Sequence, residues 1–346
     1  MFLKFFGLDE QPFGVTPDPR YLYLSSAHRE ALASLFYGIE VGRGFMALIG
    51  KPGMGKTTLL FHLLEKFRGS ARTAFLFQTQ CNSREFMRFL LAELGCETAD
   101  HDFVRMHEEF NRLLLREARA GNRFIVLVDE AQNLDPSVLE TIRLLSDFET
   151  PRAKLLQIVL AGQPELADKL ASRNLAQLLQ RISLVSGLKP LSLEDSKNYI
   201  QHRLRVAGYQ GGDLFTNQAL VEMADFTGGI PRSINNLCFN AMSLACALRQ
   251  TTIDSEIVRE VISDLDISQH ISQAQSEVHL PTDVVDGGNG RIDYGWSGRA
   301  DNGATSPSPR TEPSRSGMRG TEESVTPTEA QAFLEQVARS LRSRRL

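Results

Sequence analysis

The sequence predicts an α/β fold, in which a mostly parallel β-sheet is covered by helices on both faces and followed by an all-helical domain. Short apolar runs of strand length alternate with amphipathic helical segments up to residue 188. From residue 189 to residue 267 only helical spacing remains. A glycine-rich motif, Gly50-Lys-Pro-Gly-Met-Gly-Lys-Thr57, lies between a predicted strand and a predicted helix of the alternating part. These three observations predict a sheet domain at 45–188, with a candidate nucleotide site at the glycine-rich motif, and an all-helical domain at 189–267.

The composition is that of an ordinary globular protein, with 42% apolar and 23% charged residues among 346. The formal net charge of −4 disfavours general binding to nucleic acid. The four cysteines lack CxxC or other metal-ligand spacing, which predicts reduced, buried thiols in a cytosolic protein. We find no secretion signal and no run of the roughly 18 apolar residues that a membrane span needs. We therefore expect no membrane span.

Residues 1–44 are predicted to form an N-terminal arm. The prolines of Thr16-Pro-Asp-Pro-Arg20 favour an extended segment, and Ser25 or Ser26 is suitably placed to cap a helix after it. Two interpretations of this arm stay open. It packs on the core of the protein, or it also covers the adenine of a bound nucleotide, because it leads directly into the strand before the glycine motif.

The glycine motif follows the apolar run Phe45–Ile49 and precedes a helix with its leucines on one face. In this setting the pattern G-x-x-x-x-G-K-[ST] binds nucleotide phosphates, because glycines let backbone N–H groups turn toward a β-phosphate at a helix N-terminus. Lys56 is predicted to reach the β- and γ-phosphates, and the Thr57 hydroxyl to ligate Mg²⁺. The motif residues predicted to bind nucleotide are Gly50, Pro52, Gly53, Met54, Gly55, Lys56, Thr57 and Thr58.

Two adjacent acids follow the predicted strand Phe124–Val128. Asp129, at the strand tip beside the glycine motif, is predicted to hold Mg²⁺ directly or through water. Glu130 is predicted to polarise the water that attacks the γ-phosphate. A kinase that transfers the phosphoryl group to a bound substrate needs no such glutamate. The pair therefore favours hydrolysis over transfer.

Further strands are predicted at 73–77, 155–161 and 182–185. Gln163 lies just past the second of these, where it senses the γ-phosphate or positions the water, or alternatively satisfies backbone groups of the loop. Ligands bind at the carboxyl ends of parallel strands, where Lys56, Asp129 and Gln163 would all lie. Arg181 ends a predicted helix at 174–181, and from the residues alone it is typical of a solvated surface arginine.

In the helical part, Pro231 suits a first helical position and puts Arg232 in the opening turn, where it could face the nucleotide from a second domain. Residues 268–326 are rich in Gly, Ser, Thr, Pro, Asp and Arg, which predicts a disordered linker. Residues 327–346 have the spacing of a short amphipathic basic helix. We interpret this last segment either as a docking element or as a frayed tail.

Taken together, these stretches resemble the AAA+ ATPases of the general secretion pathway protein A (ExeA) type, and especially the short subfamily associated with PEP-CTERM/exosortase loci. The resemblance covers residues 1–266. The stretches that carry it are Phe6-Gly-Leu8, Pro12-Phe13, Pro17-Asp-Pro-Arg-Tyr-Leu-Tyr23, His28-Arg-Glu-Ala-Leu32, the glycine motif, Val128-Asp-Glu-Ala-Gln-Asn-Leu134, Gly162-Gln-Pro-Glu-Leu166, Gln180-Arg-Ile182 and Gly228-Gly-Ile-Pro-Arg232.

The resemblance implies a P-loop (AAA+) ATPase core with a helical lid that binds ATP with Mg²⁺ and assembles into homo-oligomers with nucleotide between subunits. It implies that Arg232 is the lid arginine at the sensor-2 position and that Gln163 takes the sensor-1 place. It also implies that Arg181, or alternatively Arg173, is the arginine finger reaching a neighbour's nucleotide. The resemblance implies a cytoplasmic protein that lies peripherally at the inner membrane through an envelope or membrane-associated protein partner. It also implies a role in secretion or exopolysaccharide export.

Two other functions are weighed against this one. The first is a DNA-associated AAA+ ATPase related to transposition regulators, which would need a basic pore or stripe; the scattered arginines and the absence of a recognisable DNA-binding motif after the lid disfavour it. The second is a slow nucleotide-gated switch, against which Glu130 argues. The longer secretion relatives carry a transmembrane helix and a peptidoglycan-binding domain after the core, and we recognise neither pattern after residue 266.

Overall fold

A parallel β-sheet forms the centre of the computed structural model, which describes residues 2–77, 80–97, 102–150 and 153–265. Its five strands within those ranges have the order β2-β3-β6-β1-β7, and each neighbouring pair is parallel. A separate antiparallel pair is formed by β4 and β5. The strands are β1 (Phe45–Ile49), β2 (Ala71–Leu76), β3 (Arg123–Val128), β4 (Glu149–Thr150), β5 (Ala153–Lys154), β6 (Leu156–Gly162) and β7 (Ile182–Gly187).

Helices follow most of the strands and form the regular structure of the described chain after β7. They are α1 (Phe2–Phe6), α2 (Ser26–Glu40), α3 (Lys56–Lys66), α4 (Ser83–Glu93), α5 (Phe103–Arg119), α6 (Pro136–Leu145), α7 (Pro164–Leu170), α8 (Ala176–Leu179), α9 (Leu193–Val206), α10 (Asn217–Thr227), α11 (Pro231–Ala247) and α12 (255–265). Within the described ranges, no helix combines the length and the hydropathy needed to cross a bilayer.

The two faces of the sheet are buried under different helices, as strand β3 illustrates. Phe124, Val126 and Val128 point to a cluster with apolar residues of α4, α5 and α6. Ile125 and Leu127 point to the opposite side, in a cluster with residues of α2 and α3. Burial on both faces explains why the strands are apolar throughout rather than alternating. The predicted α/β fold with a parallel sheet is confirmed.

The helical region after the sheet has its own apolar cluster, built from α9, α10, α11 and α12. The first part of the arm packs on this cluster of the helical region, through Phe6, Leu8, Phe13 and Tyr21. A polar contact joins the same two segments, since the buried Arg203 guanidinium donates to the backbone carbonyl of residue 12. The second part of the arm, helix α2 together with Leu22 and Leu24 before it, packs on the sheet.

Two details differ from the sequence expectation. The segment predicted as one helix at 174–181 is a 3₁₀ turn at Arg173–Leu175 followed by the short α8. Helix α7 was not predicted; it begins at Pro164 immediately after the extended Gln163. The disordered linker predicted at 268–326 and the helix predicted at 327–346 lie outside the described residues.

Candidate functional site

A cleft opens at the carboxyl edge of the sheet, with an empty volume of about 1010 Å³ that includes open solvent. Three parts of the chain line it. The glycine loop and the strand ends contribute Pro52, Gly53, Met54, Gly55, Lys56, Thr57, Thr58, Glu130 and Gln163. The arm contributes Gly14, Val15, Thr16, Pro17, Asp18, Tyr21, Leu22, Tyr23 and His28, and the lid side contributes Leu191, Tyr199, Arg203, Pro231, Arg232 and Asn235.

The loop between β1 and α3 is held against the lid at Gly53. This residue has φ +76°, and a Cβ placed on it would lie 2.7 Å from the Cβ of Arg232. The backbone N–H of Arg232 donates to the Gly53 carbonyl oxygen at 3.1 Å. A side chain at position 53 would therefore collide with the lid, in addition to the strain of positive φ. The same contact brings Arg232, predicted to contact nucleotide, onto the glycine loop.

Lys56 begins α3 and is only 4% exposed. Its Nζ donates to the carbonyl oxygens of Gly50 at 2.8 Å and Lys51 at 3.3 Å, so the ammonium group spans the loop. Burial lowers the pKa of Lys56, whereas the nearby carboxylates of Glu130 and Asp129 act to raise it. Gly50 is thus a partner of Lys56 rather than a residue that lines the cleft.

Thr57 and Asp129, the two predicted Mg²⁺ ligands, are brought together across the sheet. The Thr57 hydroxyl donates to Asp129 Oδ2 at 2.5 Å, and the Glu130 backbone N–H donates to Asp129 Oδ1 at 2.9 Å. Asp129 is 2% exposed, and burial raises its pKa although the hydrogen bond from Thr57 opposes the shift. A hydroxyl and a carboxylate beside the glycine loop are the hard oxygen donors that Mg²⁺ prefers, so these residues fit the ion.

Glu130 points into the cleft and is held by two amide side chains. Its Oε2 accepts from Gln132 Nε2 at 2.6 Å and from Gln163 Nε2 at 3.1 Å, and the Gln163 backbone N–H donates to Gln132 Oε1. Burial acts to raise the pKa of Glu130, but these hydrogen bonds and the positive charges of Lys56 and Arg232 lower it below its usual value. Glu130 is therefore an ionised carboxylate at neutral pH, with a fixed orientation.

Arg181 lies in a different environment from the other predicted site residues. Its Nη1 donates to Ser146 Oγ at 2.8 Å and forms an ion pair with Asp147 at the end of α6. The Arg181 side chain is 32% exposed, immediately before β7, which is an edge strand of the sheet. Arg173, the alternative finger, is exposed.

Comparison with known proteins agrees with this geometry. Residues 39–170 match the model of the family described as an AAA domain. The chain is 42% identical over 248 residues to general secretion pathway protein A of Aeromonas hydrophila, a match that covers 71% of this chain and 45% of that protein. This chain carries an AAA domain of the general secretion pathway protein A type. It spans less than half of the length of that relative.

Two further matches cover about half and about three quarters of this chain. An uncharacterized HTH-type transcriptional regulator of Methanocaldococcus jannaschii is 30% identical over 176 residues, which are 48% of this chain and 42% of that protein. The solved structure of the Aeropyrum pernix ORC2 protein, in ADPNP-ADP complexes, has a TM-score of 0.59 at 16% identity and covers 74% of this chain and 71% of that chain. The second likeness shows the fold alone.

Sequence reasoning missed several residues of this AAA domain and its lid. Gln132 lies two positions after Glu130, in a 3₁₀ turn. This short separation from Glu130 was the sequence signal that could have identified Gln132 as a site residue. Tyr199, Arg203 and Asn235 line the cleft from the lid and carried no local motif. The arm residues 14–18 line the same cleft. This arrangement favours the interpretation in which the arm covers the adenine, which stays a prediction.

For this AAA domain we expect Asp129→Asn to raise the thermal stability of the protein and to abolish the Mg²⁺-dependent part of nucleotide binding. Because the pKa of Asp129 is raised, its ionised form costs folding free energy at neutral pH. That cost disappears as pH falls through the raised pKa. We expect the nucleotide-free variant to melt about 2–4 °C above the parent at neutral pH, a shift typical of a change of about 1 kcal/mol in a domain of this size.

The gain in melting temperature of the variant should shrink at lower pH. In the parent, ATP with Mg²⁺ should raise the melting temperature more than ATP with EDTA does, and this difference should vanish in the variant. Differential scanning fluorimetry across pH measures both effects. Asp135→Asn, at an exposed acid before α6, is the matched control and should change neither. A variant that melts well below the parent at neutral pH would contradict the cost assigned to burial.

Proposed function

We propose that this chain is an Mg²⁺-dependent ATPase that hydrolyses ATP to ADP and phosphate. The observation that carries the proposal is the meeting of Thr57, Asp129 and Glu130 at one edge of the sheet, with the buried Lys56 between the acids and the loop. This arrangement combines a metal site, a phosphate-binding cation and an ionised carboxylate in a single cleft. It is suited to attack by water on a terminal phosphate.

Each side chain has a role in this proposal. The loop N–H groups and Lys56 bind the β- and γ-phosphates, and Thr57 with Asp129 would hold Mg²⁺, which when bound neutralises phosphate charge. Glu130 accepts a proton from the attacking water while the new P–O bond forms and the bond to the β-phosphate oxygen breaks, with ADP as the leaving group. Gln163 and Gln132 orient the Glu130 carboxylate, and Arg232 reaches the γ-phosphate from the lid.

The subunits are further proposed to assemble with nucleotide between them, so that Arg181 of one subunit faces the ATP of its neighbour. Its position outside the cleft, before an edge strand, supports a role in trans rather than at its own nucleotide. An exposed ion pair such as Arg181–Asp147 contributes at most about 1 kcal/mol, so releasing the guanidinium on assembly costs little.

The cellular role is proposed from the relative. General secretion pathway protein A names a secretion system, and the PEP-CTERM/exosortase resemblance points to an envelope secretion or exopolysaccharide export system. In this proposal the ATPase is cytoplasmic and lies peripherally at the inner membrane through a membrane-associated protein partner. It powers or organises export by the system to which that partner belongs.

The test of the ATPase proposal is specific activity against protein concentration, with the assembly state measured in the same samples by light scattering. Activity per subunit should rise with assembly, because each site is completed by a neighbour. Activity per subunit that is independent of concentration in monomeric samples would contradict the shared site. Absence of ATP hydrolysis in assembled samples would contradict the ATPase itself.

A second candidate function is a DNA-associated ATPase, which the likeness to an HTH-type transcriptional regulator favours. The net charge of −4 opposes it. Binding to duplex DNA that requires ATP and weakens steeply with salt would favour this candidate, because phosphate contacts release counterions. Equal ATPase rates with and without DNA, and no salt-sensitive binding, would favour the export function.

A further inference from the structure

A histidine of the arm contacts the backbone of the phosphate-binding loop. His28, on α2, is 3% exposed, and its Nε2 lies 3.0 Å from the carbonyl oxygen of Met54. Its Nδ1 lies 2.7 Å from the Ser25 hydroxyl oxygen, and Ser25 is itself only 2% exposed. Residue 28 precedes the part of the chain that matches the AAA family model, residues 39–170. The contact therefore joins the arm to the centre of the nucleotide site.

The two partners determine which ring nitrogen carries the proton. A carbonyl oxygen can only accept, so the Nε2 of His28 must donate to Met54. Nδ1 of the neutral ring then accepts from the Ser25 hydroxyl. Burial lowers the pKa of His28, although the hydrogen bond to Met54 opposes that shift. The imidazole is thus a neutral donor in one tautomer, with its direction set by the cap of its own helix.

The consequence for the loop follows from peptide geometry. In a planar trans peptide the C=O of Met54 and the N–H of Gly55 point in opposite directions. A phosphate-binding loop works through inward N–H groups, so the carbonyl oxygen of the same peptide points away from the phosphate and needs a partner there. Gly55 has φ +85°, and glycine allows the peptide before it to rotate at low cost. A donor held in place at the Met54 carbonyl oxygen therefore selects one orientation of the peptide group between Met54 and Gly55.

We propose that His28 is a positioning residue for the nucleotide β-phosphate: by holding the Met54 carbonyl, it keeps the Gly55 N–H directed into the phosphate-binding loop. This inference rests on the proposed nucleotide site. It makes the arm part of diphosphate recognition rather than only a cover for the base. His28 does not contact the reacting atoms, and its effect passes entirely through one peptide group.

The experiment compares ligands with and without a β-phosphate. His28→Phe keeps an aromatic ring but removes the donor, and we expect ADP affinity to fall about tenfold, the effect of about 1.4 kcal/mol. AMP affinity should change less than twofold. His28→Gln places an amide donor near the ring Nε2 and should restore ADP affinity to within about threefold of the parent. Calorimetry measures ADP binding, and displacement of a fluorescent nucleotide measures AMP.

His62→Phe is the matched control, since His62 lies on α3 with its Nδ1 3.6 Å from Glu65, and it should leave both affinities unchanged. Equal losses for ADP and AMP in the His28→Phe variant would overturn the proposal, because that result indicates packing of the arm alone. A His28→Gln variant as weak for ADP as His28→Phe would also overturn it. A parent protein that binds neither nucleotide would instead contradict the proposed function.

Discussion

Replacing Glu130 with glutamine is expected to lower the ATPase rate by about 10²–10⁴-fold, the usual contribution of a general base. Glutamine has nearly the same shape and still offers a carbonyl oxygen to Gln132 and Gln163, so the fold and the cleft should survive. It cannot take the proton of the attacking water. ATP affinity should stay within about threefold of the parent, because the phosphates are bound by the loop and not by this side chain.

Single-turnover phosphate release at saturating ATP, together with a direct binding measurement, checks both parts. The matched control is Glu165→Gln, an exposed carboxylate two positions beyond Gln163, which should keep the parent rate. If the parent turns over readily and Glu130→Gln hydrolyses ATP equally fast, Glu130 is not the base. If the parent and the variant both hydrolyse ATP only very slowly, the protein is a nucleotide-gated switch.

Replacing Arg181 with alanine is expected to lower the ATPase rate of the assembled protein by about 10³-fold or more, within the range known for arginine fingers. The guanidinium stabilises charge that develops on the phosphoryl group, so its loss affects turnover far more than ATP binding. The size of the assembly should not change. Within its own subunit, Arg181 contacts Asp147 and Ser146, and these contacts are partly exposed. The free energy of unfolding should therefore fall only slightly.

Arg173→Ala is the matched control, and it should keep the parent rate if Arg181 is the finger. The opposite result, a slow Arg173→Ala and a normal Arg181→Ala, would transfer the role to Arg173. Both variants turning over at the parent rate in assembled samples would contradict a finger in this segment.

A mixing experiment tests whether Arg181 acts across the subunit interface. Subunits with Glu130→Gln retain Arg181, and subunits with Arg181→Ala retain Glu130. In an equal mixture about a quarter of the sites should combine both intact residues if subunits pair at random in a heterologous ring or filament. Activity should therefore reappear on mixing two inactive variants. A mixture that stays inactive while forming mixed assemblies would contradict action in trans.

Local sequence was sufficient to predict where the residues at the centre of the candidate site lie in the fold. Lys56 and Thr57 follow a glycine loop whose conformation depends on residues within one short stretch, and Asp129 follows directly on a buried strand. Such positions are determined by short-range backbone geometry and by the rule that parallel strands present their carboxyl ends at one edge. The alternation of apolar strands and helices likewise predicted the α/β sheet, because burial on both faces leaves a continuous apolar signature in each strand.

Contacts between distant stretches could not be predicted in this way, because periodicity does not encode which strands become neighbours. The tertiary structure decided that Gln132 and Gln163 meet at Glu130, since β6 lies beside β3 in the sheet. It also decided that the first part of the arm packs on the lid, where Arg203 binds its backbone. His28 reaches Met54 across 26 positions of sequence, a contact that depends on how α2 packs against the loop.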